Sequence, residues 1–242
     1  MIYEIPSEMS TRRERKRRER VQGILETAMT IVAEEGLECM TVHRLARELD
    51  LTVGALYRYF PSKDAIIAAL ERMAIVEVGQ SLRDAAHEAK SGPRPDAPSA
   101  AAVYDILAIA EAYRAFTLQS PSRFQLISQV LATPTHVLTD DQAERVMRPM
   151  MDLLGWIAEY FETAVRENAL SPGNAMERTT LFWSGLRAMV QTRKLARMQP
   201  ETMAYPHLYR QMAGTLLLGW GAEPETLAMA NHHLLSLERT SS

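Results

Sequence analysis

The sequence predicts an all-α protein, with an N-terminal three-helix helix-turn-helix domain followed by a larger α-helical bundle, about ten helices in all. Three observations predict it. The 12 Pro and 11 Gly concentrate at a few junctions, where they break helices. Between the junctions Ala, Leu, Glu and Arg abound, residues that favour helix, and apolar positions recur at helical spacing. No stretch alternates apolar and polar residues as a half-buried strand would. With 242 residues and 47% hydrophobic content, the chain can bury a sizeable core. The expected organisation is a basic arm over 1–20, a helix-turn-helix domain over 21–66 and a bundle over 67–242.

The net charge of −3 hides a sharp asymmetry, because seven of the nine residues from Arg12 to Arg20 are Arg or Lys. Such a run either tracks phosphates and minor grooves or forms a solvated helix start in which Glu14 and Glu19 pair locally. From about Arg12 to Glu35, Val21, Ile24, Leu25, Ala28, Ile31 and Val32 repeat at helical spacing, and Gly36 offers a left-handed C-cap. Cys39 comes next, read as a small buried residue in the loop. As the sole cysteine it excludes an internal disulfide and suits a reducing cytoplasm.

Thr41 to Lys63 reads as two short helices joined by a tight turn, with a cation where a third begins. Thr41 is placed to cap the first, which turns Val42, Leu45, Ala46 and Leu49 inward and His43, Arg44 and Arg47 outward. Thr52 can cap the second, which carries the small Gly54 and Ala55 and is anchored by Leu56 and Phe60. Pro61 ends it and Ser62 can cap the next. Lys63, in that helix's first turn, opposes the dipole preference, which a phosphate would relieve. The helix then runs through Ile66, Leu70, Met73 and Val78 into the eighties, a mechanical link to the larger domain. The Pro-rich stretch 91–99 breaks it. Further helices are expected near 100–119, 121–131, 140–168, 174–198, 205–219 and 223–238, with Pro149 kinking or restarting the 140–168 helix.

The run TVHRLARELDLTVGALYRYFPSK resembles the DNA-binding segment of the tetracycline-repressor (TetR) family, roughly T-x-x-x-L-A-x-x-x-G-V-(S/T)-x-G-x-L-Y-x-H-F-x-x-K. Thr41, Leu45, Ala46, Thr52, Gly54, Leu56, Tyr57, Phe60 and Lys63 fall at matching positions. Asp50 replaces the usual turn glycine, Val53 a polar or basic residue, and Tyr59 the usual histidine. Periodicity would bury Val53, whereas the resemblance places it on the DNA face, where it could meet a thymine methyl. The resemblance implies double-stranded DNA with a palindromic operator as partner. It assigns base or groove contacts to His43, Val53, Gly54, Ala55, Tyr57 and Arg58, and phosphate contacts to Thr41, Thr52, Tyr59 and Lys63. Arg44, on the outward face, joins the candidates. The stretches around Leu181–Leu186 and Leu216–Gly219 resemble the helices through which that family forms homodimers. On physical grounds Leu181, Gly185, Ala188 and Met189 could approach a neighbouring helix closely, in a partner subunit or in the chain's own core.

No nucleotide-binding, zinc-protease or hydrolase motif appears, so no enzyme, metal site or cofactor is expected. The adjacent His232 and His233 point to different sides of a helix and make a poor metal pair. No apolar run approaches a membrane span, which suits a cytoplasmic protein. For a small, largely apolar effector the candidate lining is Tyr113, Phe124, Met151, Trp183, Arg187 and Gln191, chosen for size and helix position. The leading expectation is a repressor released from its operator by such a ligand. The alternative is a constitutive or architectural DNA-binding dimer without a small-molecule effector.

Overall fold

The computed structural model describes residues 12–132, 140–193 and 205–240. Among these residues there are ten α-helices and one short 3₁₀ turn. They group into two compact units that divide within helix α4, between Ala74 and Ile75, with 125–146 joining the first unit.

In the first unit, α1 (Arg12–Glu35) takes in the whole basic run, so Arg12 to Arg20 form exposed helix. The local acid supports this: Arg15 lies 3.9 Å from Glu19 one turn on. Ile24, Ala28, Ile31 and Val32 of α1 are buried. Gly36, at φ 89°, ends the helix in a conformation that needs no Cβ. Cys39, in the 3₁₀ turn Leu37–Cys39, is exposed and not buried as expected, because Leu37 and Met40 take the inward positions.

Helix α2 (Val42–Glu48) and helix α3 (Val53–Tyr57) each start on a threonine whose hydroxyl accepts a backbone N–H, Thr41 from Arg44 and Thr52 from Ala55. Between them Asp50 adopts φ 53°. The Asp50 and Leu51 amides donate to the Arg47 and Ala46 carbonyls, at 3.2 and 2.8 Å, a Schellman closure that satisfies the end of α2. Leu45 and Leu56 are fully buried and hold the pair together. Ser62 then caps α4 (Lys63–Ser91) through the Ala65 amide. Glu71, inside the unit's core and 2% exposed, has its carboxyl pushed up by desolvation to about 7.

The second unit is built around α5 (Pro98–Gln119), which is buried along nearly its whole length. Helix α10 (Pro224–Thr240) lies along it, and Ala230 and Leu234 are buried. The connection from α4 to α5 is pinned by Arg94, which pairs with the buried Asp105 at 2.8 Å, and by a 2.8 Å contact between the His233 ring nitrogen and the Pro93 carbonyl. Helix α6 (Pro121–Ala132) and helix α7 (Asp140–Arg166) each contribute to both units. Pro149 lies inside α7 and neither ends nor restarts it. Two aromatic rings of α7 are covered by cations from α4, Trp156 by Arg83 at 5.1 Å and Tyr160 by Lys90 at 4.4 Å.

Helix α8 (Ala175–Thr192) and helix α9 (Tyr205–Gly219) pack against each other. Residues 194–198 of the expected helix lie outside the described residues. A Cβ at Gly185 would stand 2.7 Å from the Met212 sulfur, so Gly185 serves the chain's own α8–α9 packing. Leu217 is fully buried, whereas Leu181 is 57% and Leu218 42% exposed.

Candidate nucleic-acid interface and ligand site

The α2–α3 pair presents its polar side outward while its apolar side is consumed by the core. His43, Thr41 and Thr52 are exposed, as are Gly54, Tyr57 and Arg58 along α3. Val53, Ala55, Tyr59 and Lys63 are half-exposed, so Val53 is neither core nor fully presented. With no side chain at Gly54, and nothing within 4 Å of where a Cβ would stand, another surface can approach the α3 backbone closely. Lys63 opens α4, where helix amides and a cation together suit a phosphate, and Tyr59 lies just before it. Arg44 is placed differently. Its guanidinium binds Glu35 at 2.8 Å and Glu48 at 2.9 Å, so a DNA contact would have to compete with two carboxylates.

In the second unit, four of the six residues expected to line a ligand site come together. Tyr113 on α5 meets Phe124 on α6 edge to face, ring centroids 6.4 Å apart. The Trp183 indole lies beside the Tyr113 hydroxyl, and the Arg187 guanidinium covers the Trp183 ring at 5.5 Å. Met151 and Gln191 do not join them. The buried stripe of α7 runs through Val146, Met150, Leu153, Leu154 and Ile157, which turns Met151 outward to 47% exposure. On α8 the inward positions are Phe182, Leu186 and Val190, and Gln191 beside them is exposed.

The same region holds residues that the sequence did not single out. Tyr209 on α9 donates its hydroxyl to the Ala110 carbonyl at 2.6 Å, and its ring lies 5.8 Å from that of Tyr205. Glu111 accepts from Arg114 at 2.6 Å and from Arg210 at 2.7 Å. The hydroxyls of Tyr113 and Tyr205 are buried without a well-formed hydrogen bond. Burial drives both above the usual tyrosine range. The available signal was spacing: Tyr113 with Thr117, and Tyr205 with Tyr209, are polar groups one turn apart on otherwise apolar helix faces.

Comparison with known proteins places both units. A family model described as bacterial regulatory proteins, tetR family, matches residues 24–70. A second, described as a tetracyclin repressor-like C-terminal domain, matches residues 106–193. The nucleoid occlusion factor SlmA of Haemophilus influenzae is 36% identical over 90 residues, which cover 34% of this chain and 41% of that protein. The chain thus spans less than half the length of the curated relatives it matches. Among solved structures, the TetR family transcriptional regulator PfmR of Thermus thermophilus is 18% identical, with 80% of this chain and 96% of that one covered at a TM-score of 0.54. RolR in complex with resorcinol is 15% identical, with 89% and 95% covered at a TM-score of 0.56. These two structures share the fold.

Proposed function

Since this chain belongs to the tetR family of bacterial regulatory proteins, and is therefore a DNA-binding transcription regulator and not an enzyme, we propose that it is a homodimeric, cytoplasmic repressor. It holds a palindromic operator through α2 and α3 and releases it when a small ligand occupies the second unit. The observation that supports this best is the exposed face of α3, built on two threonine caps and offering Tyr57, Arg58 and a bare backbone at Gly54. Physically, Arg58 and His43 can discriminate bases, while Lys63 and Tyr59 can only position the duplex.

The cluster of Tyr113, Phe124, Trp183 and Arg187 supports a ligand, and RolR, a protein of the same fold, has been solved with resorcinol. Helix α4 carries the signal in this reading, since it contributes to both units. A ligand that favours another pose of α4 would alter the spacing of the two readers, and linkage requires DNA to weaken the ligand by the same factor. The second reading is a constitutive or architectural DNA-binding dimer without a small-molecule effector, and the likeness to proteins named nucleoid occlusion factors is in line with such a role. Titrating lipophilic compounds into the protein–operator complex separates the two. Operator release with reciprocal weakening of the ligand supports the first, and unchanged DNA affinity with a bound compound supports the second.

A further inference from the structure

The buried hydroxyls of Tyr113 and Tyr205 call for an explanation. They belong to α5 and α9, two helices already joined by the Tyr209 hydroxyl on the Ala110 carbonyl and by Arg210 on Glu111, and they are close enough to act on each other electrostatically. Their nearest polar side chains are Trp183 at Tyr113 and Thr117 at Tyr205, neither in a well-formed hydrogen bond, and phenylalanine at either position would keep the ring and remove a poorly satisfied polar atom. Their surroundings specify what a partner must be. Both phenols stay protonated at neutral pH, because burial disfavours the phenolate, so both can donate. The neighbouring Trp183 indole can only donate. The field around the two hydroxyls is positive: Arg187 acts on Tyr113, and Arg114 and Arg193 act on Tyr205. The opposing carboxylate, Glu111, is already held by Arg114 and Arg210. The Phe124 and Trp183 rings supply an apolar wall.

We propose that the effector is a small organic carboxylate, whose oxygens accept from the Tyr113 and Tyr205 hydroxyls and whose apolar or aromatic body lies against Phe124 and Trp183. This deepens the ligand-responsive reading and rests on it.

Calorimetry on the full chain with two matched pairs, benzoate against benzamide and hexanoate against hexan-1-ol, tests it. Each carboxylate should bind about ten-fold or more tightly than its neutral partner, as charge-assisted hydrogen bonds imply. Tyr113→Phe and Tyr205→Phe should each weaken the carboxylates by about ten-fold and leave the neutral compounds unaffected. The ligand-free melting temperature of either variant should not fall, because neither hydroxyl makes a well-formed hydrogen bond in the free protein. A fall would show that the hydroxyls are structural and overturn the assignment. Equal affinity within each pair, full carboxylate affinity in the double variant, or no binding of either acid at millimolar concentration would also overturn it. Release of operator DNA by the neutral compounds, or by any other apolar compound, would in those cases leave the ligand-responsive reading standing.

Discussion

Arg58 and Lys63 should fail in different ways when truncated. Lys63, at the start of α4, is assigned to a phosphate in the proposed reading, so Lys63→Ala should weaken all sequences about equally. Arg58→Ala, if Arg58 reads a base edge, should cost about 1–3 kcal/mol at one base pair and relax preference there. Binding titrations of both variants on operator and on random DNA check this, and equal losses on both DNAs for both variants would refute the assignment. Glu71 makes a second prediction. Its folded pKa of about 7 exceeds the unfolded value, so the native state binds more protons than the unfolded chain between about pH 4.5 and 7, and stability falls as pH rises through that window. Glu71→Gln should flatten the dependence and stabilise the protein at pH 8 by up to about 3 kcal/mol, read from urea melts across pH. At this scale much of the reader was legible. Thr41 and Thr52 show their capping role in sequence because the N-cap places one side-chain oxygen at a fixed offset. The Glu35 partner of Arg44 was not legible, since it comes from another helix.

Helix α8 and helix α9 present Leu181 and Leu218 to solvent in the single chain, which is the face a partner subunit would cover in the proposed dimer. Leu181→Asp should therefore yield monomers with little change in melting temperature. Leu217→Asp should instead unfold the protein, since it buries a charge in the chain's own core at a cost of about 3 kcal/mol or more. Sedimentation combined with thermal melts distinguishes them, and a dimeric, stable Leu181→Asp would contradict the proposed interface. The basic start of α1 makes an element-scale prediction of its own. Replacing Arg12, Arg13 and Lys16 by Gln should make the slope of log K against log salt shallower by roughly 0.9 for each phosphate no longer neutralised. An unchanged slope would mean that this turn stays in solvent. Helix ranges after residue 98 were legible because Pro and Gly punctuate them. Whether Leu217 serves the chain's own core or a partner was not legible, because amphipathicity identifies an apolar face but not which surface covers it; in the single chain it is buried. The outward turn of Met151 likewise depends on which stripe of α7 its neighbours claim.

At the scale of the whole molecule, one chain carries a DNA-binding unit and a second unit in which the Tyr113 and Tyr205 hydroxyls are buried without a well-formed hydrogen bond. The first was readable from a single stretch, Thr41 to Lys63, because a helix-turn-helix is local in sequence. The second was only half readable, since Tyr113, Trp183 and Tyr205 meet through three helices far apart in the chain. A two-fold regulator must hold its readers about one helical turn of DNA apart, or a multiple of it. Selection from a random DNA pool with the full chain, followed by footprinting of the enriched site, is the decisive experiment for such a regulator. The expected product is a palindrome with half-sites spaced by about one turn or a multiple, protected on both halves, with preference relaxed at one base pair of each half in Arg58→Ala and paired protection lost in Leu181→Asp. No enriched sequence, or a single asymmetric site bound by a monomer, would show that the chain is not a two-fold operator-binding regulator.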